Sequence, residues 1–357
     1  TQQKLLMRCL LRLYAHRIPV VIIVGNHDHP LSFGKANSLD IFGNLPIDGF
    51  HVISKPQIIN LTTKNGPIQI VGIPWPTRNT ITISDQQLFK SSSEITDYIA
   101  NLVSQLIQHF ANQLDPQIPA ILGGHLTVSS GIFSGSEKRA IYGTDPVLLP
   151  SQLAIKPFDY IALGHLHRYQ DLNQGNHPAI VYAGSIERVD FGERKEEKGF
   201  CHVTITDKQK TSHQFITTPT RPFLQIEITL QPIDQVDTGG SHHNHQTWQI
   251  LNALKQYDLK EAVLKIKYEL PVSETDIVNL KSVQVACSDA MFIVSIIGTH
   301  KPQARVTRTS MKSGTDLPTM LKHYFATKPE LKTRSEKLTN LALQLAQELQ
   351  EAESDES

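Results

Sequence analysis

Val20-Val21-Ile22-Ile23-Val24-Gly25-Asn26-His27-Asp28 is the stretch on which the reading of this chain turns. Five consecutive β-branched residues read as a strand buried on both faces. The polar tetrapeptide that follows at once puts chemistry-bearing side chains at the strand's end. Upstream, Leu5, Leu6, Cys9, Leu10 and Leu13 recur at helical spacing, and Arg17-Ile18-Pro19 separates that helix from the strand.

The same grammar returns downstream. Ala120-Ile121-Leu122 leads into Gly123-Gly124-His125, Tyr160-Ile161-Ala162-Leu163 into Gly164-His165-Leu166-His167, and Ala179-Ile180-Val181-Tyr182 into Ala183-Gly184-Ser185. Gln69 to Pro74 reads as another strand. Ile95, Ile99, Leu102, Leu106, Phe110 and Leu114 make one stripe of a helix over 94–114, stopped by Asp115-Pro116. Strands mixed with helices, with polar residues just past the strand ends, are the pattern of an α/β sandwich whose site lies at the sheet's edge.

From about residue 218 the text changes. Alternating apolar residues from Phe223 read as a strand, followed by a polar loop, Asp237 to His245. A helix over 247–257, a strand over 262–270, a helix over 274–282 and a strand over 289–297 complete a small α+β unit. Residues 301–340 carry nine Lys/Arg against three acids, and 341–357 carry five acids and no base. Leu338, Leu341, Leu345 and Leu349 stripe a terminal helix. The expected domains are therefore 1–218, 219–300 and 301–357.

Composition narrows the function classes. The chain has 357 residues, with 34 Lys+Arg balancing 34 Asp+Glu, so its surface is not uniformly basic and any nucleic-acid contact is local. Hydrophobic residues make up 39% and charged residues 19%, the balance of a folded globular chain. Cys9, Cys201 and Cys287 lie far apart, so a reducing compartment is expected rather than a disulfide scaffold. No apolar run reaches the roughly 18 residues of a membrane span, and no signal peptide is visible; the expected location is cytoplasmic.

Asn26, His27, His125, His165 and His167 form the candidate constellation. Neutral imidazoles and an amide oxygen suit divalent transition metals. His165 and His167 are two residues apart, and in extended backbone both point to one face. One segment can then serve two metals roughly 3.5–4 Å apart, as in two-metal hydrolases. The bland reading holds elsewhere. His16, His51, His109, His177, His202, His213, His300 and His323 are taken as surface or core residues. The run His242, His243, His245 is only a compositional signal, and most charges of the run 187–198 read as a solvated hairpin.

Gly25-Asn26-His27-Asp28, Gly124-His125 and Gly164-His165-Leu166-His167 resemble the last three motifs of the calcineurin-like metallophosphoesterase superfamily. Tyr182 to Glu193, with Glu196-Glu197-Lys198-Gly199-Phe200, resembles more narrowly the SbcD-type nuclease subunits that process DNA double-strand breaks. The resemblance implies an α/β sandwich of two mixed sheets flanked by helices, a small α+β capping domain and a helical C-terminal tail. It implies that Asn26, His125 and His165 bind one metal and His167 the other. His27 would stabilise the transition state or protonate the leaving oxygen, and Asp28 would orient His27. It further implies manganese, a homodimer, DNA ends and hairpins as substrate, and an SbcC-type ABC ATPase as partner gripping the C-terminal part.

The resemblance is incomplete at the start. The Asp-x-His and Gly-Asp motifs that open the family pattern do not occur, and no Asp or Glu precedes Asp28. The expectation is a truncated sequence that holds at most one manganese and does not cut DNA. A non-catalytic subunit, and a small-molecule phosphodiesterase of the same superfamily, are the alternatives.

Overall fold

The computed structural model describes residues 2–28, 39, 42, 49–77, 92–135, 145–272, 274–300, 317–326 and 329–355. Helix α1 (Gln2–Ala15) runs into strand β1 (Val20–Ile23), which pairs in parallel with β2 (Phe50–Ile53), Val20 opposite Phe50. Strands β3 (Gln57–Thr63), β4 (Gly66–Ile73), β5 (Ala120–His125), β8 (Tyr160–Gly164), β9 (Gln170–Asp171) and β10 (Ala179–Tyr182) build a six-stranded sheet in the order β3-β4-β5-β8-β10-β9. Its four central strands are mutually parallel, and β3 and β9 at the edges are antiparallel. A minor pair, β6 (Thr127–Val128) and β7 (Val147–Leu148), lies beyond β5.

Strand alternation sets the two faces of the large sheet. On one face Val71, Ile73, Leu122, Ile161 and Leu163 share a core with Ile99, Val103 and Ile107 of helix α2 (Ser92–Ala111). On the other face, Gly72 and Gly123 replace bulky residues. A side chain at Gly72 would strike Ile53 of β2, and one at Gly123 would stand 2.5 Å from Ile23 Cδ1 of β1. The two glycines thus let the small sheet lie against the large one. This is an α/β sandwich, as the strand–glycine grammar implies. Strand β1 is half-buried over its whole length, not buried on both faces as its composition suggests; only Val24, just past it, is fully buried.

Helix α3 (Pro150–Leu153) precedes β8, and the hairpin β11 (Gly199–Asp207) with β12 (Lys210–Thr217) follows β10. A second, separate core then forms. Strands β13 (Phe223–Thr229), β14 (Val263–Leu270) and β15 (Phe292–His300) are all parallel, joined by crossovers containing helices α4 (His245–Leu254) and α5 (Leu280–Ala286). Ile226, Ile250, Leu264, Ile266 and Val283 fill this core. Helix α5 starts later than the expected 274–282. Asp276 spends its carboxylate on Tyr268 Oη (2.7 Å) and on Val278 N (3.0 Å), and Asn279 caps the helix at Ser282 N, 3.1 Å away.

The two cores are joined through a bonded junction. Arg188 donates from Nη1 to Thr220 Oγ1 (2.7 Å) and Arg221 O (2.9 Å), and from Nη2 to Glu196 O (2.9 Å). Thr218 Oγ1 donates to Ile186 O at 2.9 Å, and Arg221 N to Glu187 Oε2 at 3.2 Å.

The tail holds helix α6 (Leu317–Ala326), a 3₁₀ segment (Pro329–Arg334) and helix α7 (Ser335–Asp355). Along the expected leucine stripe, Leu341 and Leu345 are exposed and Leu338 is partly covered; the side chain of Leu349 and residues 301–316 of the basic stretch 301–340 lie outside the described residues. Among the described residues, no helix is long and apolar enough to cross a membrane. All three cysteines are free.

Candidate metal centre

The C-terminal ends of β1, β5 and β8 converge where an open parallel sheet places its site. After β1 the chain turns at Gly25-Asn26-His27-Asp28. The Asp28 carboxylate accepts from Gly25 N at 2.8 Å, and Asp28 N donates to Gly25 O at 3.2 Å. Asp28 therefore closes the turn through the backbone, and His27 stands exposed upon it. Trp75, just past β4, donates from its backbone N to Val24 O at 2.9 Å, which brings a large ring to the same place.

His125, the last residue of β5, meets Asn26: its Nε2 lies 2.9 Å from Asn26 Oδ1. The His125 and His165 rings are 5.3 Å apart, edge to face. Trp75 covers both, 4.8 Å from His165 and 5.9 Å from His125 between ring centroids. Asn26, His125 and His165 are thus gathered from three strand ends.

His165 is in a costly backbone conformation. Its φ is 106°, which an L-residue other than glycine holds at roughly 1–3 kcal/mol. Strand β8 ends at Gly164, so the extended backbone whose alternation would put His165 and His167 on one face does not continue through His165. His165 Nε2 and Asp145 Oδ2 are 3.5 Å apart, both buried, and neither has a hydrogen-bond partner among the described residues. Orphaned buried polar atoms of this kind carry a desolvation cost, which a cation relieves when both present lone pairs.

His167 is anchored differently. Its Nδ1 lies 2.7 Å from Glu193 Oε1, and Glu193 has no exposed surface. Glu193 Oε2 also receives Val189 N at 3.0 Å and pairs with Lys198 Nζ at 2.9 Å. Lys198, itself buried, donates further to His167 O at 2.8 Å and pairs with Glu196 at 3.0 Å. Burial alone would raise the Glu193 carboxyl; hydrogen bonds from Lys198, Val189 N–H and His167 outweigh it and hold the group below the ordinary carboxylate range. The run 187–198 is therefore not solvated at Glu193 and Lys198, contrary to its charge pattern.

As donors, Asn26, His125 and His165 fit a divalent ion: two imidazoles and an amide oxygen, with an unsatisfied ring nitrogen at His165. The gathering is partial. Among the described residues, no group of three or more His, Cys, Asp or Glu stands in metal-holding geometry, and Asn26 and His125 are bonded to each other. The sequence reading does not single out Trp75 and Asp145, and it quotes Glu193 and Lys198 only as part of the resemblance, with no role assigned. The recurrence of Glu and Lys in the run after Gly184-Ser185 was the one available sign, and it pointed to solvent. In the His242–His245 run, His245 is buried and bonds Glu274 through Nε2 at 2.7 Å, next to Asn244, which caps α4 at Thr247 N.

Gly25 is a sharp test of this packing. A Cβ there would stand 2.7 Å from His125 Cε1 and 3.0 Å from both ring nitrogens. Gly25→Ala is expected to lower stability by about 1–3 kcal/mol, an overpacking cost. In a His125→Ala background the cost should vanish. Urea unfolding of the four proteins measures this coupling; equal costs in both backgrounds would place the His125 ring elsewhere.

Known proteins share parts of this chain. Residues 2–169 match the family model of the calcineurin-like phosphoesterases. The SbcD component of the SbcCD nuclease of Staphylococcus epidermidis is 27% identical over 212 residues, which are 59% of this chain and 52% of that protein. The chain thus spans about half the length of this relative.

Proposed function

We propose that this chain, a calcineurin-like metallophosphoesterase of the SbcD type, hydrolyses phosphodiester bonds of DNA when its metal centre is complete. The observation that supports this most is the meeting of Asn26, His125 and His165 at three strand ends, with His165 Nε2 buried and unsatisfied among the described residues.

In this reading Asn26, His125 and His165 hold one divalent ion, taken as manganese, and His167 contributes to the second. A bound metal pair supplies Lewis acidity and hydroxide near neutral pH. The protein's own residues do the rest. Trp75 covers the two inner imidazoles and restricts water around them. The Asp28–Gly25 bond holds the turn so that His27 projects from it, and the His27 imidazole donates a proton to the leaving oxygen. Substrates are DNA ends and hairpins, cut as a 3′→5′ exonuclease and as an endonuclease. Residues 219–300 act as a capping and DNA-binding domain. Residues 301–357, with Leu341 and Leu345 exposed, dock an SbcC-type ATPase. The assembly is a homodimer in the cytoplasm.

The second reading, a non-catalytic DNA-end or ATPase-binding subunit, is favoured by the absence of any three-member His/Cys/Asp/Glu group in metal-holding geometry among the described residues. Manganese calorimetry and hairpin cleavage separate the two readings. The chain starting at Thr1 should bind about one ion per protomer at most, weakly, and leave hairpins intact, since three neutral donors do not offset a doubly charged ion. The same chain preceded by a segment supplying Asp-x-His and Gly-Asp should bind two ions and cut. Two ions without cleavage would favour the non-catalytic reading. Cleavage of small phosphodiesters but not of hairpins would favour a small-molecule phosphodiesterase.

A further inference from the structure

We infer that Glu193 is the positioning residue of His167, fixing its ring with the proton on Nδ1 and the lone pair on Nε2, and that Lys198 locks this arrangement at both ends. The inference rests on the reading of His167 as a site residue, but its physical content is independent of any bound ion.

Three features carry it. First, an ionised carboxylate only accepts. With Glu193 Oε1 2.7 Å from His167 Nδ1, a proton must sit on Nδ1, and in the neutral ring the lone pair is then on Nε2. Second, the carboxylate is itself immobile. It has no exposed surface, and its other oxygen is taken by Val189 N at 3.0 Å and Lys198 Nζ at 2.9 Å. Third, Lys198 also grips the main chain of the residue being positioned, donating to His167 O at 2.8 Å. That carbonyl further receives Ser185 N at 3.1 Å. Gly184, at φ 77°, allows this approach, since a Cβ there would stand 2.7 Å from the same oxygen. The ring and the backbone of His167 are therefore tied to one buried carboxylate–ammonium pair. A neutral imidazole whose Nδ1–H meets a carboxylate is oriented and made more basic at Nε2. A charge run serving solubility alone would not place Glu193 and Lys198 out of water, where both ions lose their hydration.

The experiment is nitrogen-15 NMR of the histidine-labelled full chain, with the His167 signals assigned by their loss in His167→Gln. Neutral Nδ1–H, neutral Nε2–H and doubly protonated imidazole have distinct pairs of nitrogen shifts. The expected result is the Nδ1–H form in the wild type and in Glu193→Gln, whose amide oxygen still accepts. In Glu193→Ala the signal should move to the Nε2–H form or to a mixture of the two. Because Glu193→Ala takes one of two carboxylates from a buried lysine, Glu193→Leu/Lys198→Met serves as a second variant, lacking the acceptor and leaving only the partly exposed Glu196 without its partner. An Nε2–H or doubly protonated ring in the wild type, or an unchanged Nδ1–H pattern in both acceptor-less variants, would overturn the inference. An Nδ1–H ring here, with hairpins left intact by the chain preceded by the Asp-x-His and Gly-Asp segment, supports it while counting against the nuclease reading.

Discussion

Replacing Lys198 by methionine is expected to lower the stability of the chain by about 3–5 kcal/mol, the cost of removing one partner from a buried pair. The magnitude follows from burial: neither the Lys198 nor the Glu193 side chain has exposed surface, and they stand 2.9 Å apart. The substitution strands a carboxylate in a place where water cannot reach it and frees the His167 carbonyl from its Nζ donor. Lys198→Met/Glu193→Gln should recover much of the loss, because no fully buried bare charge remains; Glu196, which also loses its lysine, is partly exposed. The pH dependence should change too. The Glu193 carboxyl is depressed in the folded chain, so its contribution is fully present above the ordinary value of 4.5 and is lost as pH falls through the lower folded value. Without Lys198 that depression weakens, and the acid loss should begin at a higher pH. Urea unfolding across the acid range measures both effects. A loss under about 1 kcal/mol, typical of an exposed pair, would mean that water reaches Lys198.

His27→Ala should reduce hairpin cleavage by about 10²–10⁴-fold in the chain carrying the Asp-x-His and Gly-Asp segment, the span of a lost general acid. Manganese and DNA binding should be unchanged. The separation is expected from where His27 sits: exposed on a turn whose closure depends on Asp28 and Gly25, not on its own ring. Asn26, His125 and His165 then keep their contacts. Cleavage rates with calorimetry on the same preparation decide it. Normal cleavage would remove His27 from the chemistry, and a parallel loss of metal would make it a ligand instead.

Much of the fold was legible because its cues are local. The strand at Val20–Ile23, the helix over Ser92–Ala111 and the strand–glycine–polar steps at Gly123, Gly164 and Gly184 are written in neighbouring residues. The histidines that end those strands were legible for the same reason, and Asn26, His125 and His165 do meet. What the text did not carry depends on partners far along the chain. Glu193 reads as one charge among several until the fold sets it against His167, 26 residues away. Trp75 gains its place only when Val24 receives its amide hydrogen. Asp145 lies outside any strand, and its distance from His165 is a matter of tertiary placement. The start of α5 is displaced because Asn279 caps the helix at Ser282 N, while Asp276 bonds Tyr268 and Val278 N outside it. The shared face of His165 and His167 failed because it presumed extended backbone where φ is 106°.

The bonded junction around Arg188 has a mechanical consequence. A linker without side-chain bonds is a tether: its ends wander at a cost that grows only slowly with length. Here the stretch between β12 and β13 is fastened at Thr218, Thr220 and Arg221 to the segment 186–196. That segment also contains Glu193. Torque applied to β13, at the root of the second core, is therefore carried as by a stiff coupling into the peptide that grips His167, instead of being dissipated in a slack connection.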